Sequence, residues 1–266
     1  MKFYKGKKVW ITGASSGIGK ALALQCAEYG AHLILSARNL EKLEEVKLLC
    51  SKAKQVDIIG LDLADHDGLD AMFKQHQSLL SEVDVLINNG GISQRSEAWK
   101  TDFSVYRKLI EVNYLGTVKL SLLLLPYFMK RNTGTYVVLS SSAGKFGVPV
   151  RSGYSGSKFA LHGFFEALRA ELSDTNIGIT MICPGFISTD ISKNALTEDG
   201  SAQGTMDDAQ ANGMSPKVMA KKTLEAVSQG KAEFLVGGFK ETKMAVWVSR
   251  HFPSLFRKII AKSKVT

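Results

Sequence analysis

Two hydrophobic rhythms alternate along the chain. Short, nearly continuous apolar runs predict buried strands at Lys8–Thr12, 31–37, 56–61, 83–87, 136–139, 177–182 and Glu233–Val236. Helical spacing fills the stretches between them. After Gly17, the residues Ile18, Ala21, Leu22, Gln25, Cys26 and Tyr29 fall on one face, and Gly30 is a suitable stop. Leu40–Leu49 reads as a mixed-charge helix, and longer helices are expected over 102–130 and 152–173. Apolar strands separated by helices imply a parallel sheet covered on both faces. Right-handed crossovers then give an α/β, doubly wound, Rossmann-type architecture. No linker or repeat divides the chain, so one domain is expected over 1–266, with a core at about 7–236.

One segment breaks the rhythm. Residues 189–215 are polar, weakly periodic, and follow directly on a strand's C-terminal end. Ligands bind at that edge of such sheets, so a mobile lid is expected, with a surface insertion as the alternative.

Composition narrows the setting. The chain has 266 residues, of which 45% are hydrophobic, enough for a sizeable core. No apolar run reaches the ~20 residues needed to span a bilayer; the nearest, 120–129, contains Pro126. The basic start, 1–8, lacks the long apolar stretch and cleavage site of a signal peptide. Cys26, Cys50 and Cys183 are distant and odd in number, a poor disulfide framework without metal-ligand spacing. A reducing, cytoplasmic location is the expectation.

The formal charge is +9, but its distribution matters more. From Lys240 onward, Lys240, Lys243, Arg250, Arg257, Lys258, Lys262 and Lys264 face only Glu241, a local net of +6. The excess therefore sits on the tail, 237–266. No basic run interleaved with aromatics occurs elsewhere, so no nucleic-acid partner is expected. In the tail, Met244, Trp247, Phe252, Leu255, Phe256 and Ile259 alternate with the basic residues, and Pro253 separates two short helical pieces. Such a stretch can rest peripherally on an anionic membrane or pack on its own subunit or a neighbour, the commoner fate of apolar stripes.

Candidate chemistry begins at the first strand–helix junction, Thr12-Gly13-Ala14-Ser15-Ser16-Gly17-Ile18-Gly19. Glycines there permit a tight turn and let a pyrophosphate approach the backbone N–H groups of the helix start. The second strand ends Ser36-Ala37-Arg38-Asn39, without the acid that binds ribose hydroxyls in NAD-using folds. Arg38 suits a 2′-phosphate instead, with Ser15 and Ser16 as added contacts, so NADP(H) is expected over NAD. Further on, Tyr154 and Lys158 stand at i and i+4, one face of a helix. A phenol with a pKa near ~10 is a sluggish base at neutral pH, and a nearby ammonium favours its ionised form. The pair can serve as a general acid–base.

Taken together, these motifs resemble the short-chain dehydrogenase/reductase family. The likeness rests on Thr12-Gly-x-x-x-Gly-x-Gly19, Asn88-Asn89-Gly90-Gly91, Asn113, Ser141, Tyr154-x-x-x-Lys158 and Pro184-Gly185-Phe186-Ile187-Ser188-Thr189, in the family's order and spacing. It runs from about residue 7 to 236, and the strand-end pattern is similar to the branch containing 11-beta-hydroxysteroid dehydrogenases. The resemblance implies that Tyr154 donates a proton in reduction and accepts one in oxidation. It implies that Lys158 lowers the tyrosine's pKa and holds the nicotinamide ribose, that Ser141 binds the substrate oxygen, and that Asn113 anchors a water in a relay through Lys158. Asp62 and Leu63 would contact adenine, Asn89 and Gly90 would pass the adenine ribose, and Ile187 and Thr189 would meet the carboxamide. Pro184 and Gly185 would wall the ring. Gly91 replaces the family's usual alanine, which should loosen a turn.

The implied activity is hydride exchange between NADP(H) and a carbonyl or alcohol carbon of a mildly apolar, lipid-like small molecule. Ser93, Gln94, Val148, Val150, Phe186 and the 189–215 segment are expected to line its pocket. No metal is required, and His162 reads as a packing or solvent residue. A homodimer or homotetramer through the two long helices is expected. The alternative function is a catalytically silent NADP(H)-binding regulatory module, which the filled Ser141/Tyr154/Lys158 set disfavours. A nucleotide-sugar epimerase is disfavoured by the Gly13–Gly17 spacing and the short C-terminal part.

Overall fold

The computed structural model describes residues 1–263, apart from the side chain of residue 241. Lys264 and the Glu241 side chain, both counted in the tail charge above, lie outside the described residues.

Seven parallel strands form one sheet: β1 (Lys8–Thr12), β2 (His32–Ala37), β3 (Gln55–Gly60), β4 (Val85–Asn88), β5 (Gly134–Leu139), β6 (Ile177–Pro184) and β7 (Glu233–Val236). Their order is β3-β2-β1-β4-β5-β6-β7, so the winding reverses between β1 and β4. Among the described residues nine α-helical pieces lie between the strands, α1 (Gly17–Glu28), α2 (Leu40–Leu49), α3 (His66–Gln75), α4 (Gln77–Leu80), α5 (Phe103–Ile110), α6 (Gly116–Arg131), α7 (Ser152–Glu171), α8 (Asp208–Ala211) and α9 (Pro216–Ser228), and two follow β7, α10 (Ala245–His251) and α11 (Pro253–Lys262). The doubly wound α/β architecture expected from the hydrophobic rhythm is thus the observed one.

Alternation along the strands builds two cores. Val9 and Ile11 of β1 join Leu33 and Leu35 beneath α1, α2 and α9. Trp10 and Ile34 face the other way, into the layer formed by α3, α6 and α7. The Trp10 indole N–H finds a buried partner in Ser36 Oγ at 2.9 Å, which a wholly buried indole needs. Short polar side chains fix two helix starts: Asn39 Oδ1 accepts from Lys42 N at 2.8 Å and Asp65 Oδ1 from Gly68 N at 2.9 Å.

The expected helix 102–130 is interrupted by a π-helical turn at Glu111–Leu115. Counted through that turn, Phe103–Arg131 is long and apolar enough to cross a membrane. It is also a helix of the fold: Leu120, Leu124 and Phe128 are fully buried in the core, and Lys119 pairs with Asp70 on α3 at 2.7 Å.

The tail folds back onto the body. Phe256 of α11 is buried and meets Phe146 edge-on, with centroids 4.9 Å apart. Of the two fates considered for the apolar stripe, packing on its own subunit holds for this face. Trp247, Phe252, Leu255 and Ile259 remain about half exposed, at 51 to 53%.

Candidate active site

Strands β1 and β4 end on either side of the winding reversal, and Thr12 stitches them. Its Oγ1 accepts from Asn89 N at 3.0 Å and Gly90 N at 2.9 Å, while Asn89 Nδ2 donates to the Thr12 carbonyl at 2.9 Å. Above this seam lies a cavity of about 1250 Å³. Ligands of doubly wound sheets bind at this position.

The glycine-rich turn forms one end of the cavity. Gly13 and Gly17 have φ values of +64° and +54°, conformations that favour glycine. A Cβ at Gly13 would stand 2.9 Å from Asn89 Nδ2, and one at Gly19 would stand 2.1 Å from the Gly13 carbonyl oxygen. Backbone therefore packs directly on backbone. Gly13, Ser15, Ser16, Gly17 and Ile18 line the cavity, with Gly19 buried behind them. Ser16 is the N-cap of α1 and makes no side-chain cap bond, so it does not occupy the first-turn N–H groups. Arg38 lines the same end from the close of β2, beside Asn39. Asp62 and Leu63 line the cavity after β3, and Asp62 Oδ1 also accepts from Ala64 N at 3.0 Å.

Pro184, Gly185, Ile187 and Thr189 line it from the end of β6. Residue 189 crosses the glycine turn: a Cβ at Gly17 would lie 3.3 Å from Thr189 Cγ2. The 189–215 segment is hydrogen-bonded to the connection after β4 and to the end of β6. Leu196 N donates to Ser93 O at 2.9 Å, Arg95 N to Leu196 O at 2.8 Å, and Gln210 Nε2 to the Ile187 carbonyl.

Ser141, Tyr154 and Lys158 converge on the middle of the cavity. The Ser141 hydroxyl stands close enough to the Tyr154 phenol to favour its ionised form. Ser140 and Ser142 line the cavity as well, but the Ser140 hydroxyl is buried and bonded to His162 Nε2 at 2.9 Å. Lys158 sends Nζ to the Leu139 carbonyl at 2.8 Å and lies 5.9 Å from the Tyr154 ring centroid. Burial lowers its pKa to about 8.

Burial raises the Tyr154 phenol above its ordinary value. The Ser141 hydroxyl and the positive charges of Arg151 and Arg95 oppose that rise, without a resolved contribution from Lys158. Lys158 bonds the Leu139 carbonyl, and Arg151 and Arg95, which the motifs do not include, add positive charge that favours the phenolate.

Asn113 sits in the π-helical turn, fully buried, and does not line the cavity. Its Oδ1 accepts from Ile92 N at 2.8 Å, and its Nδ2 donates to Ile92 O and Ser157 Oγ, each at 2.9 Å. It ties the loop after β4 to α7. The glycine at 91 has a local reason: a Cβ there would be 3.0 Å from Asn113 Oδ1 and 3.5 Å from Lys158 Nζ.

On the substrate side, Ser93, Val148 and Phe186 line the cavity as expected, but Gln94 and Val150 do not. Gln94 is fully buried because its Oε1 accepts from the N–H groups of Gly153 and Tyr154, at 2.8 and 3.2 Å. It caps α7, whose own N-cap residue Arg151 makes no cap bond. Sequence reasoning also missed Phe146, Phe256, Ile259 and Ile260, which close the cavity from the tail side. No local period links them to the motifs.

Among the described residues, one cluster with metal-ligating side chains forms. His162, Cys183 and Glu233 bring their ligand atoms within 4.8 Å of one another. An ammonium already stands there: Lys145 Nζ pairs with Glu233 and donates to His162 Nδ1 at 3.2 Å. Nδ1 is thus the acceptor, and Nε2–H donates to Ser140. His162 is neutral, its pKa lowered to about 4 by burial and then by Lys145.

A parallel sheet with a glycine turn at its switch point, and a serine–tyrosine–lysine set facing the crevice, defines a dinucleotide-fold dehydrogenase. The model of the family described as short chain dehydrogenase matches residues 7–200. The chain belongs to that family. It is 39% identical over 265 residues to a Drosophila melanogaster protein named dehydrogenase/reductase SDR family protein 7-like, covering 98% of this chain and 81% of the relative. It is 39% identical to the mouse dehydrogenase/reductase SDR family member 7B, covering 97% and 81%. Among solved structures, a short-chain dehydrogenase from Streptomyces avermitilis superposes with a TM-score of 0.79 at 25% identity, over 96% of both chains. One from Burkholderia phymatum, in complex with NAD, gives 0.77 at 23% identity, over 88% and 89%.

Proposed function

We propose that this protein is an NADP(H)-dependent oxidoreductase that interconverts a carbonyl and an alcohol on a mildly apolar, lipid-like small molecule. The observation that carries the proposal is the Ser141–Tyr154 hydroxyl pair facing the cavity, with Lys158 one helical turn on. The cradle fits a dinucleotide. Gly13, Ser15, Ser16, Gly17 and Ile18 line one end of it, and the residues around Ser15 and Ser16 present a helix start to phosphate oxygens. Arg38 supplies a guanidinium at the adenosine-ribose end, where an NAD-specific site has an acid. When bound, the nicotinamide supplies or accepts the hydride.

The chain's own residues do the rest. Ser141 and Tyr154 hold the substrate oxygen between two hydroxyls, which fixes its orientation. Tyr154 gives that oxygen a proton in reduction and takes it back in oxidation. Burial keeps the phenol protonated at neutral pH, suited to donation, and the Arg95 and Arg151 charges limit how far its pKa climbs. Lys158, anchored on Leu139, is set to hold ribose hydroxyls. Phe146, Phe186 and Phe256 give the substrate region its apolar walls and exclude water.

Oligomerisation through the long helices is supported by Phe103, Leu122, Met129 and Phe159, which are 43 to 70% exposed. For a cytoplasmic protein touching membrane at its periphery, Trp247, Phe252 and Leu255, exposed among basic residues, support the membrane contact. A screen of ketones and secondary alcohols, following NADPH and NADH absorbance in parallel, tests the function. Turnover with NADPH well above that with NADH is expected; binding of NADPH with no turnover on any carbonyl class would favour the regulatory alternative.

A further inference from the structure

Arg95, Arg151 and Asp207 form a buried cluster at the edge of the cavity, at 9, 5 and 4% exposure. Arg95 Nε donates to Asp207 Oδ2 at 2.8 Å and its Nη2 at 2.5 Å, while Nη1 bonds Ser93 Oγ and the Gln94 carbonyl. Arg151 Nη2 reaches the same Asp207 oxygen at 3.2 Å. Gln203 Nε2 donates to the other oxygen at 2.9 Å. These residues come from three places: the connection after β4, the N-cap of α7, and the 189–215 segment.

The same short stretch, 93–96, holds both the segment and the catalytic helix. Its backbone bridges to Leu196. Its Gln94 side chain caps the first turn of α7, at Gly153 and Tyr154. Its Ser96 N–H donates to the Val150 carbonyl at 3.0 Å, and Val150 has a left-handed φ of +54°. A β-branched residue stays in that region only where its surroundings impose it. The closing of the 189–215 segment and the position of Tyr154 are therefore joined through Gln94 and Arg95.

We propose that Asp207 is a positioning residue that latches the 189–215 segment to Arg95 and Arg151, and so sets the place and the electric field of the Tyr154 hydroxyl. This rests on Tyr154 being the proton carrier. With Asp207 seated, its carboxylate offsets part of the two guanidinium charges near the phenol. Asp207 itself is held below the ordinary carboxylate range: burial works to raise it, and the Arg95 and Gln203 hydrogen bonds and both arginine charges outweigh that. Ser141 after β5 also favours the phenolate, and the other charged groups lining the same cavity are Lys158 on α7, Lys108 of α5, Arg38, Asp62, Asp190 and Lys240.

The test is the pH profile of kcat and kcat/KM in both directions, at saturating NADPH or NADP⁺, for intact protein. Asp207→Asn removes a negative charge, favours the phenolate, and should move the midpoint to lower pH by roughly half to one unit. Arg95→Gln should move it to higher pH. Asp207→Glu keeps the charge and should keep the wild-type midpoint. Opposite shifts from two variants of one cluster do not arise from general damage, and NADPH binding with circular dichroism checks folding. If Asp207→Asn does not fold, the Arg95→Gln shift alone decides. Unmoved midpoints, or shifts of equal sign, overturn the latch and leave the Tyr154 reading standing. Wild-type turnover by Tyr154→Phe would overturn both.

Discussion

Lys158 anchors its ammonium on the Leu139 carbonyl, 2.8 Å away, at the C-terminal end of β5. The bond ties the middle of α7 to the sheet edge and holds a buried cation under the Tyr154 ring. Burial lowers the lysine's pKa to about 8, below that of the unfolded chain. Between pH 8 and 10.5 the unfolded state therefore binds more protons, and stability from this site rises with pH across that window. Below pH 8 the folded protein carries the full penalty of a desolvated ammonium.

Lys158→Met lacks this dependence. Thermal melts from pH 7 to 10 should show wild type gaining on the variant by on the order of 5 °C as pH rises. A constant difference would contradict the buried charge.

Arg38 offers the only basic side chain among the residues from the end of β2 that line the cavity. Arg38→Glu should raise the KM for NADPH by roughly 10- to 100-fold, the loss of a charge-assisted hydrogen bond. The KM for NADH should change little or fall. Steady-state kinetics with both cofactors checks this, and an equal rise for both would remove Arg38 from phosphate recognition.

Phe256 brings the tail into the cavity wall through its edge-on contact with Phe146. Phe256→Ala should raise the KM for apolar carbonyl substrates about tenfold, the transfer energy of part of one aromatic side chain, and leave NADPH affinity unchanged. A matching loss of NADPH binding would mean that the tail supports the whole domain instead of the substrate region.

The fold was legible where the signal is local. Strands buried on both faces read as apolar runs, and strand and helix rhythms alternate, so the doubly wound parallel sheet was legible, while the strand order with its reversal between β1 and β4 was not read. The Tyr154–Lys158 pair was legible because a helix repeats at four residues. The Arg95–Asp207 pair spans 112 positions, and nothing in either neighbourhood marks a partner. Gln94 was read as a pocket residue because a polar side chain beside a motif gives no sign that a helix start will consume it. The π-helical turn around Asn113 likewise has no hydrophobic period of its own. The tail read as amphipathic, but which of its faces was covered depended on Phe146, far away in sequence.

Single-turnover reduction of a carbonyl substrate by Tyr154→Phe, with NADPH binding measured alongside, bears most directly on the central claim. NADPH affinity within about twofold of wild type, with hydride transfer slowed by roughly 10²- to 10⁴-fold, is expected for loss of a general acid. Hydride transfer at the wild-type rate would contradict it.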